Sequence, residues 1–275
     1  MSPTEVEALE LRLLLDAIHE RYGYDLREYD RASIQRRMRL ALAKSGLSHL
    51  GELLHHVLRD PALFALVLDE LTVRVSEMFR SPPFYRAFRE RVLPMLRTYP
   101  QIKLWHAGCA NGEEVYTSAI LLLEENLYER TQIYATDMSR AALDQAREGT
   151  YPEASLAVFA ENYAKSGGRR SFDEYYTAAY GRIVVREALR RNIVFFQHDL
   201  VSDYVFGEMQ VVFCRNVLIY FTPALRERIL QVIAHGLCRG GFLCLGESEH
   251  LPPSLSAWFE DYAPAERIYR RRGQA

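Results

Sequence analysis

The sequence predicts an α/β fold, a mostly parallel, doubly wound sheet with a small inserted β-subdomain, preceded by an all-α N-terminal domain. Residues 4–72 place apolar side chains at helical spacing and contain almost no strand pattern. Downstream of them, apolar strands alternate with helices, which is typical of a parallel sheet. Residues 150–191 interrupt this alternation over too long a stretch for a simple loop, and their segment YYTAAYGRIVV has strand character.

The individual elements follow from local patterns in chain order. Leu9, Leu13, Leu14 and Ile18 repeat at helical spacing, and Pro61 opens a later helix. Apolar runs predict strands near 102–107, 131–136, 192–197, 209–214, 241–247 and 266–270, and the intervening segments predict helices over 113–127, 139–147 and 223–238.

Composition narrows the class of protein. The 275 residues carry a formal net charge of −2, which argues against bulk attraction to nucleic acid or to an anionic membrane. Apolar runs are far shorter than a membrane span, and MSPTEVEALELR lacks the pattern of a signal peptide, so we expect a cytoplasmic location without membrane insertion. The four cysteines lack C-x-x-C spacing, which favours reduced core thiols over a metal site.

The stretch KLWHAGCANGEEVY, residues 103–116, predicts a cofactor site. An apolar strand ends there in a small-residue turn, in which Gly108 and Gly112 let the backbone approach a ligand, and a helix begins near Glu113. The turn lacks the G-x-G-x-x-G spacing of dinucleotide sites, and its acids Glu113 and Glu114 would repel a pyrophosphate. They suit a cationic ligand, and S-adenosylmethionine carries a sulfonium and an ammonium.

Two further segments can complete such a pocket. Asp137 follows the strand 131–136, where doubly wound folds place an acid against ribose hydroxyls, although it could equally cap the next helix. The string FCRNVLIYF places Arg215, Asn216 and Tyr220 just past the end of the strand 209–214, a position that faces the reactive group of a bound cofactor. The alternative is a plain polar turn with Tyr220 packed against its neighbours.

Taken together, AGCANGEE, FCRNVLIYF, the upstream SEMFR and the later GGFLCLGESE resemble the CheR family of S-adenosylmethionine-dependent methyltransferases, which esterify glutamate side chains on bacterial chemoreceptors. The resemblance runs from roughly residue 8 to residue 271. It implies a helical receptor-docking domain over residues 4–75, a Rossmann-like methyltransferase domain over 76–275, and an inserted β-subdomain at about 150–191. We expect a monomer.

The resemblance also implies which residues form the site. Cofactor contacts are expected at Ser76, Arg80, Ala107, Gly108, Glu113, Asp137, Met138, Asp199, Leu200, Arg215 and Asn216. Arg80 and Tyr220 are expected nearest the transfer site. Our hypothesis is that Tyr220 donates a hydrogen bond to the acceptor carboxylate, while Arg80 offsets its charge or holds the methionine carboxylate.

The segment RASIQRRMRLAL is a candidate docking surface for the acceptor protein. Arg31, Arg36, Arg37 and Arg39 concentrate positive charge on it, beside apolar residues. The cytoplasmic methylation regions of chemoreceptors are acidic helical coiled coils, which a basic amphipathic helix would complement. The alternative is the solvated face of a core helix.

Of three other functions, the sequence argues against nucleic-acid methylation and leaves two open. Ser81-Pro82-Pro83-Phe84 fits a motif of nucleic-acid amino methyltransferases, but it precedes the first strand and suits a helix start, with Ser81 as the cap. A small-molecule methyltransferase and a non-catalytic cofactor-binding signalling module are the other two alternatives.

Overall fold

The computed structural model describes residues 1–71 and 76–273, the side chain of Pro3 excepted. The chain forms two compact units. The helical unit contains Met1–Val73, Asp199–Tyr204 and Tyr220–Ile229, and the sheet unit contains Arg74–His198, Val205–Ile219 and Leu230–Ala275.

The N-terminal part of the helical unit contains four helices among the described residues, and the sequence predicted a helical domain there. They are α1 (Pro3–Tyr22), α2 (Arg31–Ser45), α3 (Leu50–Val57) and α4 (Pro61–Leu71). A capping box between Ser2 and Glu5 starts α1, and the Asp30 side chain caps α2 through the backbone N–H of Ser33. Leu14 and Leu53 are fully buried, so the apolar stripes of the helices form the core of this unit.

The sheet unit contains a seven-stranded sheet. Its strands are β1 (Ile102–Ala107), β2 (Thr131–Asp137), β6 (Ile193–Gln197), β7 (Met209–Cys214), β8 (Leu237–Leu245), β9 (Phe259–Ala263) and β10 (Ile268–Arg271), in the order β6-β2-β1-β7-β8-β10-β9. The first five in that order run parallel, and β10 lies antiparallel to both of its neighbours, β8 and β9. The strand order reverses between β1 and β7, and ligands bind beyond the carboxyl ends of strands at such a point.

The sheet unit also contains helices. They are α5 (Pro82–Ala87), a π-helical turn Phe88–Val92, α6 (Leu93–Leu96), α7 (Glu113–Glu124), α8 (Arg140–Glu148) and α9 (Leu156–Lys165). The residues of α10 (Pro223–Gly236) are divided between the two units. The α/β class and the strand–helix alternation were predicted correctly. Helix α7 ends three residues earlier than predicted, because Asn126 adopts a left-handed φ of 57°. The expected cap of α5 was wrong, since the side chain of Ser81 makes no capping hydrogen bond.

The interruption in the sheet pattern is a separate small sheet, as predicted. It has three antiparallel strands, β3 (Thr150–Pro152), β4 (Tyr176–Ala179) and β5 (Arg182–Val185), in the order β3-β5-β4. A buried carboxylate anchors it to the end of α7, because Glu124 accepts hydrogen bonds from Tyr163 and Tyr175 and also pairs with Arg89. The inserted subdomain therefore shares its polar core with the main sheet unit.

Candidate cofactor site

The turn after β1 is shaped by two glycines in the left-handed region. Gly108 has φ 79°, and a Cβ built on it would lie 2.5 Å from Val217 Cγ2. Gly112 has φ 88° and would meet Ala146 at 2.9 Å. A side chain at either position would strain the backbone and also clash, so the sequence must place glycine here. The turn thereby brings the start of α7 to the carboxyl edge of the sheet.

Glu113 is the first residue of α7 and is only 5% exposed. Its Oε2 atom is buried and has no hydrogen-bond partner in the part of the chain that the structure describes. Burial raises the pKa of the Glu113 carboxyl to about 7, although a hydrogen bond from the backbone works in the opposite direction. A buried carboxylate oxygen without a partner is costly, and a bound ammonium group would supply the missing donor.

Asp137, at the end of β2, joins the two neighbouring loops. Its Oδ2 accepts the backbone N–H of Ala110 at 2.9 Å, and its Oδ1 accepts that of Ser139 at 2.9 Å. The side chain of Ser139 is the N-cap of α8, through the backbone N–H of Ala142. The alternative in which Asp137 caps this helix is therefore wrong. Asp137 instead fixes the glycine turn against the end of β2.

Glu114 has a different environment from Glu113. It pairs with Arg215, whose side chain is 2% exposed, and it accepts the hydroxyl of Tyr85 at 2.8 Å. Arg215 also lies 3.9 Å from the centre of the Phe84 ring. Burial alone would raise the pKa of Glu114, but the charge of Arg215, with the nearby His106 ring and the hydrogen bond from Tyr85, lowers it to about 2. The side chain of Arg215 is thus engaged by protein groups, and a cofactor contact at this residue stays a prediction.

Glu249 organises the turn after β7, and sequence reasoning missed this role. Its Oε2 accepts the backbone N–H groups of Asn216 at 2.8 Å and Gly246 at 2.6 Å, and its Oε1 accepts that of Leu218 at 2.7 Å. The residue is 4% exposed, and it holds Asn216 at a left-handed φ of 61°. The string GESE, residues 246–249, ends in Glu249 and is part of the family resemblance, but its local pattern does not indicate this role.

The structure brings part of the predicted site together at one edge of the sheet unit. Seven of the predicted residues lie at the carboxyl ends of β1 and β2, in the turns after β1, β2 and β7, or at the start of α7. They are Ala107, Gly108, Glu113, Asp137, Met138, Arg215 and Asn216. Ser76 is half-buried and Arg80 is exposed in the segment before α5, where the backbone N–H of Phe79 donates to Thr117 of α7 at 2.9 Å. Asp199, Leu200 and Tyr220 lie in the helical unit.

The four arginines of the candidate docking segment differ in exposure. Arg31, Arg36 and Arg39 of α2 are exposed, and Arg39 pairs with Glu7 at 3.0 Å. Arg37 is half-buried and donates to the carbonyl of Glu70. Three of the four therefore remain available to a partner.

The sequence matches known families over both predicted regions. "CheR methyltransferase, SAM binding domain" matches residues 74–267, and "CheR methyltransferase, all-alpha domain" matches residues 9–72. The chain belongs to the CheR family. This CheR methyltransferase uses S-adenosylmethionine as its cofactor, and the unpartnered oxygen of buried Glu113 fits the ammonium of that molecule.

Curated relatives of this CheR methyltransferase cover most of its length. The Pseudomonas putida protein Cher3 is 48% identical over 96% of this chain and 97% of its own. Chemotaxis protein methyltransferase of Listeria monocytogenes is 30% identical over 83% of this chain and 85% of its own. Chemotaxis protein methyltransferase 1 of Vibrio cholerae is 30% identical over 91% of this chain and 92% of its own. Within residues 1–71 and 76–273, no helix combines the length and apolarity needed to cross a membrane.

Proposed function

We propose that this CheR methyltransferase transfers a methyl group from S-adenosylmethionine to glutamate side chains of chemoreceptors, giving glutamate methyl esters and S-adenosylhomocysteine. It would then belong to the protein-glutamate O-methyltransferase class and serve adaptation in a chemotaxis pathway. The observation that supports the proposal is the buried Glu113 carboxylate, whose unpartnered oxygen would accept the ammonium group of the cofactor's methionine part. The names of the Listeria and Vibrio relatives support the chemotaxis role.

The residues of the glycine turn would hold the cofactor. When bound, S-adenosylmethionine supplies a methyl group on a positively charged sulfur. Glu113 would accept the ammonium group, and its own charge would be stabilised by that contact. Asp137 lies where an acid meets ribose hydroxyls in doubly wound folds, and the turns at Gly108 and Asn216 would bring backbone close to the ligand.

Alignment of the acceptor is the main task of the proposed transfer residues. A glutamate carboxylate is ionised at neutral pH, so the site requires no general base. Tyr220 would donate a hydrogen bond to that carboxylate, and exposed Arg80 would offset its charge. Holding the acceptor oxygen in line with the methyl group would lower the activation barrier by several kcal/mol. Exclusion of water would strengthen the charge contacts in the site.

The exposed face of α2 would bind the receptor. Arg31, Arg36 and Arg39 supply positive charge, and Leu40 beside them is 49% exposed. A surface of this kind complements an acidic helical coiled coil, where charge steers the encounter and apolar contact adds affinity. The proposed domain division, 4–75 for docking and 76–275 for transfer with an insertion at about 150–191, assigns the two steps to different parts of the chain.

A radiolabelled methyl-transfer assay tests the proposal. The full chain is incubated with methyl-labelled S-adenosylmethionine and with chemoreceptors from the same genome. We expect label on the receptor that is released by mild base as methanol, because esters are base-labile. Base-stable label would indicate another acceptor group, label on a small molecule would indicate a metabolite methyltransferase, and cofactor binding without transfer would indicate a signalling module.

A further inference from the structure

The segment that carries Tyr220 is bonded to the loop immediately before α2. The backbone N–H of Asp30 donates to the carbonyl of Tyr220 at 2.8 Å, and that of Thr222 donates to the carbonyl of Glu28 at 3.0 Å. Tyr29 and Phe221 form an antiparallel bridge between these two hydrogen bonds. The two segments therefore form a short two-stranded ladder inside the helical unit.

The same loop also starts the docking helix. The carboxylate of Asp30 caps α2 through Ser33 at 2.8 Å, while its backbone N–H holds Tyr220. The rings of Tyr29 and Phe221 pack edge to face, with centroids 4.8 Å apart, and Phe221 is 4% exposed. A displacement of the first turn of α2 would consequently be transmitted to the backbone of Tyr220.

Arg37 makes a second connection, from α2 to the ring of Tyr220. Its guanidinium carbon lies 5.2 Å from the ring centre, within the range of a cation–π contact. The guanidinium is held from the other side, because Nη1 donates to the carbonyl of Glu70 in α4 at 3.0 Å. Arg37 is half-buried, so this contact is less screened by water than one on an open surface.

We propose that Arg37 is a positioning residue that couples the docking helix α2 to the orientation of Tyr220. The inference rests on the proposed function, in which Tyr220 contacts the acceptor carboxylate and α2 binds the receptor. Arg36 and Arg39 lie on the same helix with exposed side chains, whereas Arg37 faces the tyrosine. Arg37 thus acts on turnover through Tyr220, and its exposed neighbours act on receptor affinity.

Steady-state kinetics of the full chain separate these roles. In Arg37→Met we expect kcat to fall about tenfold, with the receptor KM and the cofactor Kd unchanged, because a misplaced ring loses alignment. Arg37→Lys should recover part of kcat, since an ammonium keeps the charge over the ring. In a Tyr220→Phe background, Arg37→Met should cost much less than tenfold, because the two residues act as a unit. Arg21→Met, which removes a guanidinium 5.7 Å from the Tyr22 ring, is the matched control.

A higher receptor KM at unchanged kcat in Arg37→Met would overturn the proposal and make Arg37 a docking residue. Fluorine NMR of 3-fluorotyrosine at position 220 tests the positioning without any turnover. We expect its resonance to shift in Arg37→Met and to stay in place in Arg21→Met. An unmoved resonance in Arg37→Met would refute the inference. Absence of receptor methylation by the wild-type chain, with the resonance shift still observed, would refute only the proposed function.

Discussion

Glu113 and Glu114 are adjacent in the first turn of α7, and their carboxyl pKa values are displaced in opposite directions. Burial without a charged partner raises the pKa of Glu113 to about 7. Burial would also raise the pKa of Glu114, but the positive charge of Arg215 and the other polar contacts of this carboxylate together have a larger effect and lower it to about 2. One acid is therefore poised for a ligand, and the other belongs to the framework.

Glu113→Gln should weaken cofactor binding and remove its pH dependence. Loss of a charge-assisted hydrogen bond corresponds to roughly 10- to 100-fold in Kd. In the wild type, binding needs the ionised carboxyl, so affinity should fall as the pH drops below about 7. Calorimetric titration with S-adenosylhomocysteine between pH 5.5 and 8.5 measures both effects. Exposed Glu148→Gln serves as the control, and a pH-dependent affinity retained in Glu113→Gln would contradict the assignment.

The same substitution should stabilise the ligand-free protein at high pH. A carboxyl whose pKa is raised from 4.5 to about 7 on folding destabilises the native state once it ionises. This cost is absent below pH 4.5, grows between the two values and reaches about 3 kcal/mol above pH 7. Urea unfolding at pH 5 and pH 8 should show a gain for Glu113→Gln only at the higher pH.

Arg215→Met should destabilise the sheet unit strongly. The change leaves the Glu114 carboxylate without its main counter-charge, which costs about 3–5 kcal/mol when one partner of a buried pair is removed. A double variant with Glu114→Leu should recover much of that loss, because no uncompensated charge remains. Arg147→Met, which breaks the exposed pair with Asp144, should cost less than about 1 kcal/mol. Thermal and urea unfolding provide the comparison, and equal losses for Arg215→Met and Arg147→Met would contradict this account.

Gly108→Ala should cost more than the same change at Gly23. Both residues have φ near 80°, but a Cβ at Gly23 meets nothing within 4 Å, whereas one at Gly108 lies 2.5 Å from Val217. Gly23→Ala isolates the backbone strain, about 1 kcal/mol. Gly108→Ala should add roughly 1–3 kcal/mol from overpacking and should weaken cofactor binding. Val217→Ala in the same chain should restore part of both losses, and no restoration would count against a steric cause.

Glu249→Gln should disturb the turn that presents Asn216. An amide keeps one acceptor oxygen but turns an NH₂ group toward backbone N–H donors, so one or two hydrogen bonds are lost. We expect a stability loss of about 1–3 kcal/mol and a higher cofactor KM, because the left-handed Asn216 is no longer held. Exposed Glu247→Gln is the control. A wild-type cofactor KM in Glu249→Gln would show that the clamp matters only for folding.

Reversing the exposed charges of α2 should weaken receptor binding selectively. Arg36→Glu with Arg39→Glu replaces positive with negative charge on the proposed docking face. The receptor KM should rise at least about tenfold at low salt, with an unchanged cofactor Kd. Arg12→Glu with Arg21→Glu on α1 gives the same change in net charge elsewhere. Equal receptor KM values in the two double variants would place the docking surface outside α2.

Much of the fold was predictable because periodicity reports burial directly. The N-terminal helices and the parallel strands followed from apolar spacing, and the strand character of YYTAAYGRIVV is confirmed by β4 and β5. Strand β9 and helix α9 were missed. Strand β9 is short and is defined by its pairing with β10. Helix α9 lies in the stretch where an irregular interruption was expected, and it packs against α5. Neither element has a strong local pattern.

The site was less predictable, since partner choice between charged groups depends on tertiary contacts. The sequence shows Glu113 and Glu114 as neighbours in one acidic turn. Only the fold shows that Glu114 pairs with Arg215 and accepts a hydrogen bond from Tyr85. Glu249 lies 33 residues beyond the Asn216 whose backbone it holds. Gly246, three residues before Glu249, is a local donor, but no local pattern reveals that the same carboxylate also accepts the two distant N–H groups of Asn216 and Leu218.

The Glu124 carboxylate has a consequence for attempts to shorten this enzyme. It receives two phenol hydroxyls from the inserted subdomain, and Arg89 pairs with both Glu124 and Glu125. Excision of residues 150–191 would remove these two hydroxyls and the backbone N–H of Arg169, three donors in all, from a carboxylate at the end of the helix whose first turn carries Glu113. A trimmed enzyme would therefore need Glu124 and Arg89 redesigned together, and a subdomain exchanged between relatives would have to carry its matching tyrosines with it.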